Sequence, residues 1–319
     1  MKRYLVTGGA GFIGSHLVRT LLEQGHQVRV LDNFSTGKRE NLAGLASRFD
    51  GGRLQVQEGD VRDPAAAASA LEGVEVVFHE AAFISVPESM EKPQECFDVN
   101  VAATVSLFET ARKAGVRRVV IASSAAVYGD SDACPLQEST PTQSLSPYAA
   151  SKRAGETYAQ LYTQAFGLEV AALRYFNVYG PRQRPDSMYA AAVPIFIRRL
   201  LDGQPVTVFG DGGQTRDLIN VRDVVRANLV ASEHPAASGE VFNVCTGLET
   251  RLLDLLDVLY RLFPGAPQPV FAEPRAGDIY RSVGSPDFTA QTIGFRAQVS
   301  LSEGLEETVE WMRGVKREA

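Results

Sequence analysis

The stretch from Tyr4 to Asp32 constrains the fold of this chain more than any other part of the sequence. An apolar run at 4–6 leads directly into four glycines between positions 8 and 14, and apolar residues then recur at helical spacing. A second apolar run at 28–31 ends at Asp32. This order is typical of a parallel sheet that binds a dinucleotide: a strand, a glycine-rich turn, a helix, a second strand and an acid.

The glycines and the acid each have a physical reason to be there. Glycine reaches positive φ without strain, and its missing side chain lets backbone amides approach a pyrophosphate at a helix N-terminus. Asp32 stands where a carboxylate can accept a hydrogen bond from a ribose 2′-hydroxyl and would repel a 2′-phosphate. This favours NAD over NADP, although the basic residues Lys38 and Arg39 follow closely. The alternative is a glycine-rich turn without a ligand, and the complete unit argues against it.

The rest of the chain continues the alternation of strands and helices. Further apolar runs typical of strands lie at 54–57, 74–79, 116–122, 168–173, 206–209 and 241–244. Helical periodicity lies between them, at 64–71, 98–114, 148–166, 193–200 and 223–231. The pattern predicts an α/β fold, a doubly wound parallel sheet of the Rossmann type with a smaller C-terminal α/β substrate domain.

The 319 residues are enough for two domains. We assign 1–178 to the sheet domain, with 220–247 returning to it. The smaller domain then comprises 179–219 and 248–319.

Composition argues against several classes of protein. A net charge of −6 without a basic run is unlike a nucleic-acid-binding surface, and no apolar run is long enough to span a bilayer. The cysteines Cys96, Cys134 and Cys245 are far apart, show no metal-ligand spacing and suggest a reducing compartment. We therefore expect a cytoplasmic protein with no metal, no membrane segment and no nucleic-acid partner.

Three side chains suggest proton and hydride chemistry. Tyr148 and Lys152 are four residues apart on one predicted helix and share a face, while Ser124 ends a neighbouring strand. A nearby ammonium lowers the pKa of a tyrosine from about 10, so that its phenolate can take a proton from a substrate hydroxyl. Ser124 could hydrogen-bond the same oxygen. Alone, such a pair is more often an exposed feature of a helix, but the dinucleotide unit before it favours catalysis.

At these residues the chain resembles the extended short-chain dehydrogenase/reductase family of nucleotide-sugar epimerases and dehydratases. The resemblance covers nearly the whole length, and its motifs are TGGAGFIG, DN at 32–33, GDV at 59–61, HEAA, SSAAVYG, YAASK, RYFNVYGPRQ, TRDLINVRD and EPRAGD. It implies a 4-epimerase of UDP-hexoses that uses bound NAD and passes through a 4-keto sugar.

The resemblance also implies roles for individual residues. The NAD contacts would be Gly8, Gly11, Phe12, Ile13, Asp32, Asn33, Asp60, Val61, Ala81, Asn100, Tyr148 and Lys152. The reacting sugar hydroxyl would meet Ser124 and Tyr148, and UDP would meet Asn177, Phe209, Arg216, Arg275 and Asp278. Without the resemblance, the two arginines would be interpreted as surface ion pairs and Phe209 as core. A helix at 193–200 could line the uridine pocket or only fill core.

The same resemblance argues against dehydration and decarboxylation. Dehydratases and decarboxylases of the family carry acids where this chain has Ala125 and Ala126, and alanine cannot act as acid or base. A UDP-glucuronate 4-epimerase or another nucleotide-sugar oxidoreductase stays an alternative. So does a non-catalytic NAD-binding scaffold, against which the retained catalytic residues argue. A homodimer through 98–114 and 148–166 is expected.

The family also has a gate beside the C2 substituent of the sugar. An ungapped alignment places it at Ser282, which would admit N-acetylated sugars, whereas a short gap places it at Tyr280, which would crowd them. We prefer Ser282, and therefore expect UDP-glucose/UDP-galactose and also UDP-N-acetylglucosamine/UDP-N-acetylgalactosamine as substrates. The alternative is that both residues lie in a surface loop and gate nothing.

Overall fold

The computed structural model of the chain describes residues 1–49, 52–185, 191–274 and 279–318. The strands are β1 (Arg3–Thr7), β2 (Gln27–Asp32), β3 (Leu54–Glu58), β4 (Val76–His79), β5 (Arg118–Ser124), β6 (Glu169–Tyr175), β7 (Asn177–Tyr179), β8 (Thr207–Phe209), β9 (Thr215–Arg216), β10 (Leu218–Asn220), β11 (Val241–Val244), β12 (Thr250–Arg251), β13 (Val270–Ala272) and β14 (Arg281–Ser282).

The helices complete the element order. They are α1 (Phe12–Glu23), α2 (Leu45–Arg48), α3 (Pro64–Leu71), α4 (Val86–Glu91), α5 (Pro93–Phe97), α6 (Ala103–Lys113), α7 (Pro147–Phe166), α8 (Ala192–Leu201), α9 (Val221–Glu233), α10 (Leu252–Leu262), α11 (Asp287–Ile293) and α12 (Leu301–Glu318). Short helical turns lie at 39–41, 98–102, 125–128 and 235–237.

Seven parallel strands form the main sheet, in the order β3-β2-β1-β4-β5-β6-β11. This confirms the predicted doubly wound sheet. The chain first builds outward from β1 through β2 to β3, and then crosses to β4 on the other side of β1. At such a switch point the connections leave the sheet in opposite directions and open a crevice at the carboxyl ends of the strands.

Helices cover the sheet on both faces. On one face α1 and α9 bury Leu17, Leu21 and Val224 against the strands. On the other face α3, α6 and α7 bury residues such as Phe108 and Tyr162. Because both faces are covered, the central strands are apolar along their length, as the continuous runs in the sequence predict.

A second apolar core lies outside the sheet. Helices α8, α10 and α12 pack around Phe196, Leu256 and Val309, together with the short strand β8. The remaining short strands form small sheets of two or three members, β10-β7, β12-β9-β14 and β13-β8. This is the smaller α/β part that the sequence predicts.

The chain passes between the two parts several times. Strand β11 pairs with β6 and extends the main sheet, and residues of α9 are buried in its core. Ile293 and Phe295 are buried in that core as well, because α11 packs on β11. The sequence analysis assigns 248–319 to the smaller domain. In the structure, this segment contributes residues to both cores.

The helix predicted over 98–114 differs from the observed one. The structure has α5 from Pro93, a π-helical turn at 98–102 and only then α6. Asn100 lies in the π-turn, and its side chain bonds to the backbone of Phe83. Hydrophobic periodicity predicts a helix here but cannot distinguish a π-turn within it.

No helix in the described ranges is long and apolar enough to cross a membrane. In the same residues, no cluster of histidine, cysteine and acidic side chains is arranged to hold a metal ion.

Candidate active site

The turn after β1 lets two segments of backbone meet. Gly8 has φ of +67°, and a Cβ there would lie 2.7 Å from the backbone nitrogen of Ala81. A side chain at this position would therefore push away the segment that follows β4. Gly14 is equally constrained, since a Cβ there would overlap the carbonyl oxygen of Gly8. Both positions therefore require glycine, because any side chain would collide with neighbouring backbone.

A cavity of about 440 Å³ opens at this switch point of the sheet. Nine of the predicted cofactor residues line it: Gly8, Gly11, Phe12, Ile13, Asp32, Asn33, Asp60, Val61 and Ala81. Helix α1 begins at the cavity without a side-chain cap within the described residues. Its first backbone N–H groups are thus available to an anion such as a pyrophosphate, so the residues present fit a dinucleotide.

Asp32 is fixed within the cavity wall. Its two carboxylate oxygens accept hydrogen bonds from the backbone N–H groups of Ala10 and Phe34, each at 2.8 Å. Each oxygen keeps a second lone pair, which can accept a ribose hydroxyl. The nearby Arg39 pairs with Glu58 at 2.5 Å and lies over the ring of Phe34. Its charge is therefore already matched, which favours NAD over NADP.

Asp60 and Asn33 form one polar group at the cavity edge. Asn33 Nδ2 donates to Asp60 Oδ2 at 2.9 Å, and Arg62 donates to both oxygens of the same carboxylate. The hydrogen bonds from Arg62 hold the pKa of Asp60 well below its ordinary value. The carboxylate is therefore an anion at neutral pH, and its orientation is set before any ligand arrives.

Asn100 does not line the described cavity. Its side chain accepts from Phe83 N at 2.7 Å and donates to Phe83 O and to Ser151 Oγ, both at 2.9 Å. It is buried and holds the loop that forms one cavity wall. These contacts fix the position of the Phe83 loop, and the NAD contact of Asn100 stays a prediction.

The predicted catalytic residues meet at the end of β5. Ser124 is the last residue of that strand, and Tyr148 lies in the first turn of α7, where the Ser146 hydroxyl accepts the N–H of Ala149. The Ser124 side chain is close enough to Tyr148 to lower its pKa. One turn later, Lys152 Nζ donates to Ala122 O at 2.8 Å and lies 5.8 Å from the centre of the Tyr148 ring. The structure thus brings the three side chains together.

Burial dominates the electrostatics of this group. Burial raises the pKa of Tyr148, and the nearby Ser124 side chain only partly offsets this rise. Burial lowers the pKa of Lys152 to about 8. The depressed tyrosine pKa predicted from the sequence is thus not a property of the protein alone. A cationic nicotinamide would act against the effect of burial.

Glu80 is the second residue of the HEAA motif, and the resemblance implies no role for it. It lines the cofactor cavity, and its Oε1 accepts a hydrogen bond from Tyr175 at 2.8 Å. Burial raises the pKa of Glu80 to about 7, and the charge of Lys152 opposes this rise. An acid at the carboxyl end of a buried strand in such a sheet is a signal that could have singled it out.

A second cavity of about 360 Å³ lies in the smaller part of the chain. It is lined by three of the predicted substrate residues, Asn177, Phe209 and Arg216. Helix α8 contributes Phe196 and Arg199 to its wall, so the segment predicted at 193–200 is a helix that faces a cavity as well as core. Neither of the two described cavities includes Ser124, Tyr148 or Lys152.

The candidate gate residues differ in their surroundings. Ser282 is half-buried in β14 and pairs with Arg216 of the second cavity. Tyr280 is exposed, and its hydroxyl donates to Asp211 Oδ2 at 3.2 Å. Arg275 and Asp278, both predicted to hold UDP, lie outside the described residues.

Comparison with known proteins gives a consistent result. The NAD dependent epimerase/dehydratase family matches residues 4–245. A UDP-glucose 4-epimerase of Mycolicibacterium smegmatis is 42% identical over 314 residues, with 98% of each chain covered.

Solved structures agree with this. A Thermotoga maritima UDP-glucose 4-epimerase with UDP-glucose has a TM-score of 0.91 and 37% identity, with 98% of this chain and 99% of that chain covered. A Methanobrevibacter ruminantium UDP-N-acetylglucosamine 4-epimerase in complex with UDP-N-acetylmuramic acid has a TM-score of 0.93 and 35% identity at the same coverage.

Proposed function

Because the chain belongs to the NAD dependent epimerase/dehydratase family, we propose that it is a UDP-hexose 4-epimerase. The observation that carries this proposal is the joint position of Ser124, Tyr148 and Lys152 at the end of β5, next to the wall of the NAD cavity. NAD held by the residues of this cavity would supply reversible hydride transfer at C4 of the sugar.

The side chains of the site would handle the proton. Tyr148 takes the proton of the C4 hydroxyl as the hydride leaves, and gives it back after the 4-keto sugar has turned over. Ser124 holds the same oxygen within reach of Tyr148. Lys152, anchored on Ala122 O, supplies a positive charge near the phenolate.

The residues after Ser124 support epimerisation over elimination. Ala125 and Ala126 form a 3₁₀ turn directly after the strand, and Ser124 caps it by accepting the N–H of Ala126. Alanine has no group that could remove a proton from C5 or protonate a leaving hydroxyl. The family includes dehydratases, and this turn argues against that reaction here.

The finer substrate assignment depends on the smaller part of the chain. We assign UDP to the second cavity, where Arg216 and Arg199 offer cationic forks that suit phosphate oxygens. Since Tyr280 is engaged with Asp211, we assign the gate to Ser282 and include N-acetylated hexoses among the substrates. UDP-glucuronate epimerisation stays the second candidate. We also propose a cytoplasmic homodimer without a nucleic-acid partner.

Turnover without added coenzyme tests the function. The purified protein is incubated with UDP-glucose, and formation of UDP-galactose is followed while the released coenzyme of a denatured sample is identified. We expect conversion with no net coenzyme consumption and recovery of NAD. Tyr148→Phe should lower kcat by about 10²–10⁴, because only the proton acceptor is lost.

Other outcomes distinguish the alternatives. Net coenzyme consumption would indicate an oxidoreductase, and bound NAD without turnover of any UDP-sugar would indicate a scaffold. Recovery of NADP alone would contradict the cofactor assignment. A Tyr148→Phe variant with a near wild-type rate would remove Tyr148 from its role.

A further inference from the structure

Glu80 directly follows β4 and lines the NAD cavity. Its backbone N–H donates to Thr7 O at 3.2 Å, which continues the pairing of β1 and β4 by one residue. Its side chain therefore starts at the carboxyl edge of the sheet. The carboxylate lines the cavity wall, and the proposed proton transfer does not use it.

The register of the strands shows what Glu80 reaches across. His79 pairs with Ile121 of β5, and Ser124 of β5 pairs with Tyr175 of β6. The hydrogen bond from Tyr175 to Glu80 therefore crosses the end of β5, since that strand lies between β4 and β6. The carbonyl of Ala122, which accepts the Lys152 ammonium, belongs to the same strand end.

Tyr175 gives this carboxylate a fixed orientation. Its hydroxyl accepts a hydrogen bond from Asn228 Nδ2 at 2.7 Å, and its ring is buried. A hydroxyl has a single hydrogen, which here is directed to Glu80. Helix α9, which carries Asn228, thus orients Glu80 through one buried tyrosine.

The charges at this edge depend on one another. The negative charge of Glu80 raises the pKa of Lys152 against the lowering effect of burial. The same charge raises the pKa of Tyr148 and of Tyr175. His79 is close by, but burial lowers its pKa to about 3, so it is neutral at the pH of interest. Cys96 is the remaining group that acts on Lys152 among the described residues, and burial raises the pKa of its thiol.

We propose that Glu80 is a positioning residue whose carboxylate, oriented by Tyr175, keeps Lys152 protonated and anchored at the end of β5. It acts on the reaction through Lys152 and not through contact with the sugar. The inference rests on the proposed function, because a charged Lys152 matters only if Tyr148 transfers a proton. The negative charge of Glu80 raises the pKa of Tyr148 directly, whereas a protonated Lys152 lowers it. The pKa of Lys152 is therefore the quantity that tests the proposal.

The experiment removes the charge and keeps the shape. Glu80→Gln retains an oxygen that can accept from Tyr175. Protein labelled with ¹³C at the lysine ε-carbon is titrated by NMR with its NAD bound, and the Lys152 signal is assigned by its loss in Lys152→Arg. We expect the pKa of Lys152 to fall by about one unit in Glu80→Gln. The alkaline limb of the kcat/KM profile should move to lower pH by a similar amount.

Two further variants complete the design. Glu80→Asp keeps the charge and should restore part of the Lys152 pKa. Glu75→Gln removes an acid just before the opposite end of the same strand β4, where it accepts from Arg3 N. It should titrate like the wild type.

An unchanged Lys152 titration in Glu80→Gln would overturn the proposal, even if activity fell. If the wild type turned over no UDP-hexose, the proposed function would fail, while the NMR titration would still decide the effect of Glu80. If Glu80→Gln does not fold, Tyr175→Phe carries the test. That variant removes the hydrogen bond that keeps Glu80 ionised, so the Lys152 pKa should shift in the same direction, and no shift would reject the proposal.

Discussion

Ser282 and Tyr280 are two positions apart, yet their side chains meet different parts of the molecule. The backbone oxygen of Tyr280 accepts a hydrogen bond from Thr215 N, and its hydroxyl donates to Asp211. The hydroxyl also lies close to Gly213, where a Cβ would be only 2.6 Å away. Ser282 is the strand partner of Arg216, and Arg216 lines the second cavity. The small residue is therefore paired with a residue of the proposed nucleotide-sugar site, whereas the hydroxyl of Tyr280 bonds to Asp211.

We expect Ser282→Tyr to act on one class of sugar. A phenol ring at this position should crowd an N-acetyl group, at a cost of about 1–3 kcal/mol, and lower kcat/KM for the N-acetylated pair by about ten- to a hundredfold. The UDP-glucose pair should keep most of its rate. Both pairs are measured by coupled assay, with Tyr280→Phe as the control. Equal losses on both pairs, or a wild type inactive on N-acetylated sugars, would leave Tyr280 as the candidate gate.

The sequence predicts some single residues well and others not. Tyr148 and Lys152 could be found because their spacing on a helix brings them to one face, which needs no tertiary information. Glu80 is oriented by Tyr175 and, through it, by Asn228. These residues lie about 95 and 150 positions further along the chain, so no local pattern predicts the contacts. The hydrogen bonds of Asn100 to the backbone of Phe83 join residues 17 positions apart, and no local pattern predicts them.

At the scale of elements, α7 is attached to the sheet by a buried ion pair. Glu156 on α7 is fully buried and accepts hydrogen bonds from Arg174 on β6 and from Ser123 on β5. Ser123 precedes the predicted catalytic Ser124. The pair therefore connects α7 and β5, which carry the predicted catalytic residues, to the neighbouring strand β6.

We expect Glu156→Gln to lower the free energy of unfolding by about 3–5 kcal/mol, because it leaves the buried Arg174 without its counter-charge. Urea denaturation measures this. Glu23→Gln, which breaks an exposed pair with Arg19 on α1, is the control and should cost less than about 1 kcal/mol. A loss for Glu156→Gln as small as that of the control would show that the buried pair contributes little.

Helices and strands, like single residues, are predicted well where local sequence determines them and poorly where distant contacts do. The strand–turn–helix unit from Tyr4 to Asp32 was found nearly to its ends, because continuous apolar runs and glycines mark it locally. The strands β9, β12 and β14 have two residues each and exist through pairing with one another. No periodicity can be read from two residues, so the smaller part was predicted only in outline.

At the scale of the whole molecule, one outer surface carries exposed apolar side chains. Tyr158 and Leu161 lie at helical spacing on α7, Phe166 ends that helix, and Phe97 ends the neighbouring α5. Helix α7 belongs to the segments predicted to form a dimer, and Phe97 lies directly before the predicted segment 98–114. Apolar groups on adjacent helices are typical of a surface that is covered by a second copy.

We expect the protein to be a dimer in sedimentation equilibrium and Leu161→Arg to shift it to monomers, because a charge would be buried at the centre of this surface. Leu248→Arg is the matched control, since Leu248 is also exposed but lies in the loop after β11. A monomeric wild type, or a Leu161→Arg variant that dimerises as before, would contradict this interface.

The late return of the chain to its first core has a consequence for synthesis on the ribosome. Strand β6 ends at residue 175, but its outer neighbour β11 begins only at 241, and Ile293 and Phe295 complete the core later still. Until then the nascent polypeptide carries an unpaired strand edge and uncovered apolar surface, which are the features that promote aggregation. The sheet gains its last strand only at 241–244, and its core is covered only at 293–295. We therefore expect the nascent chain to depend on chaperones until these segments have been translated.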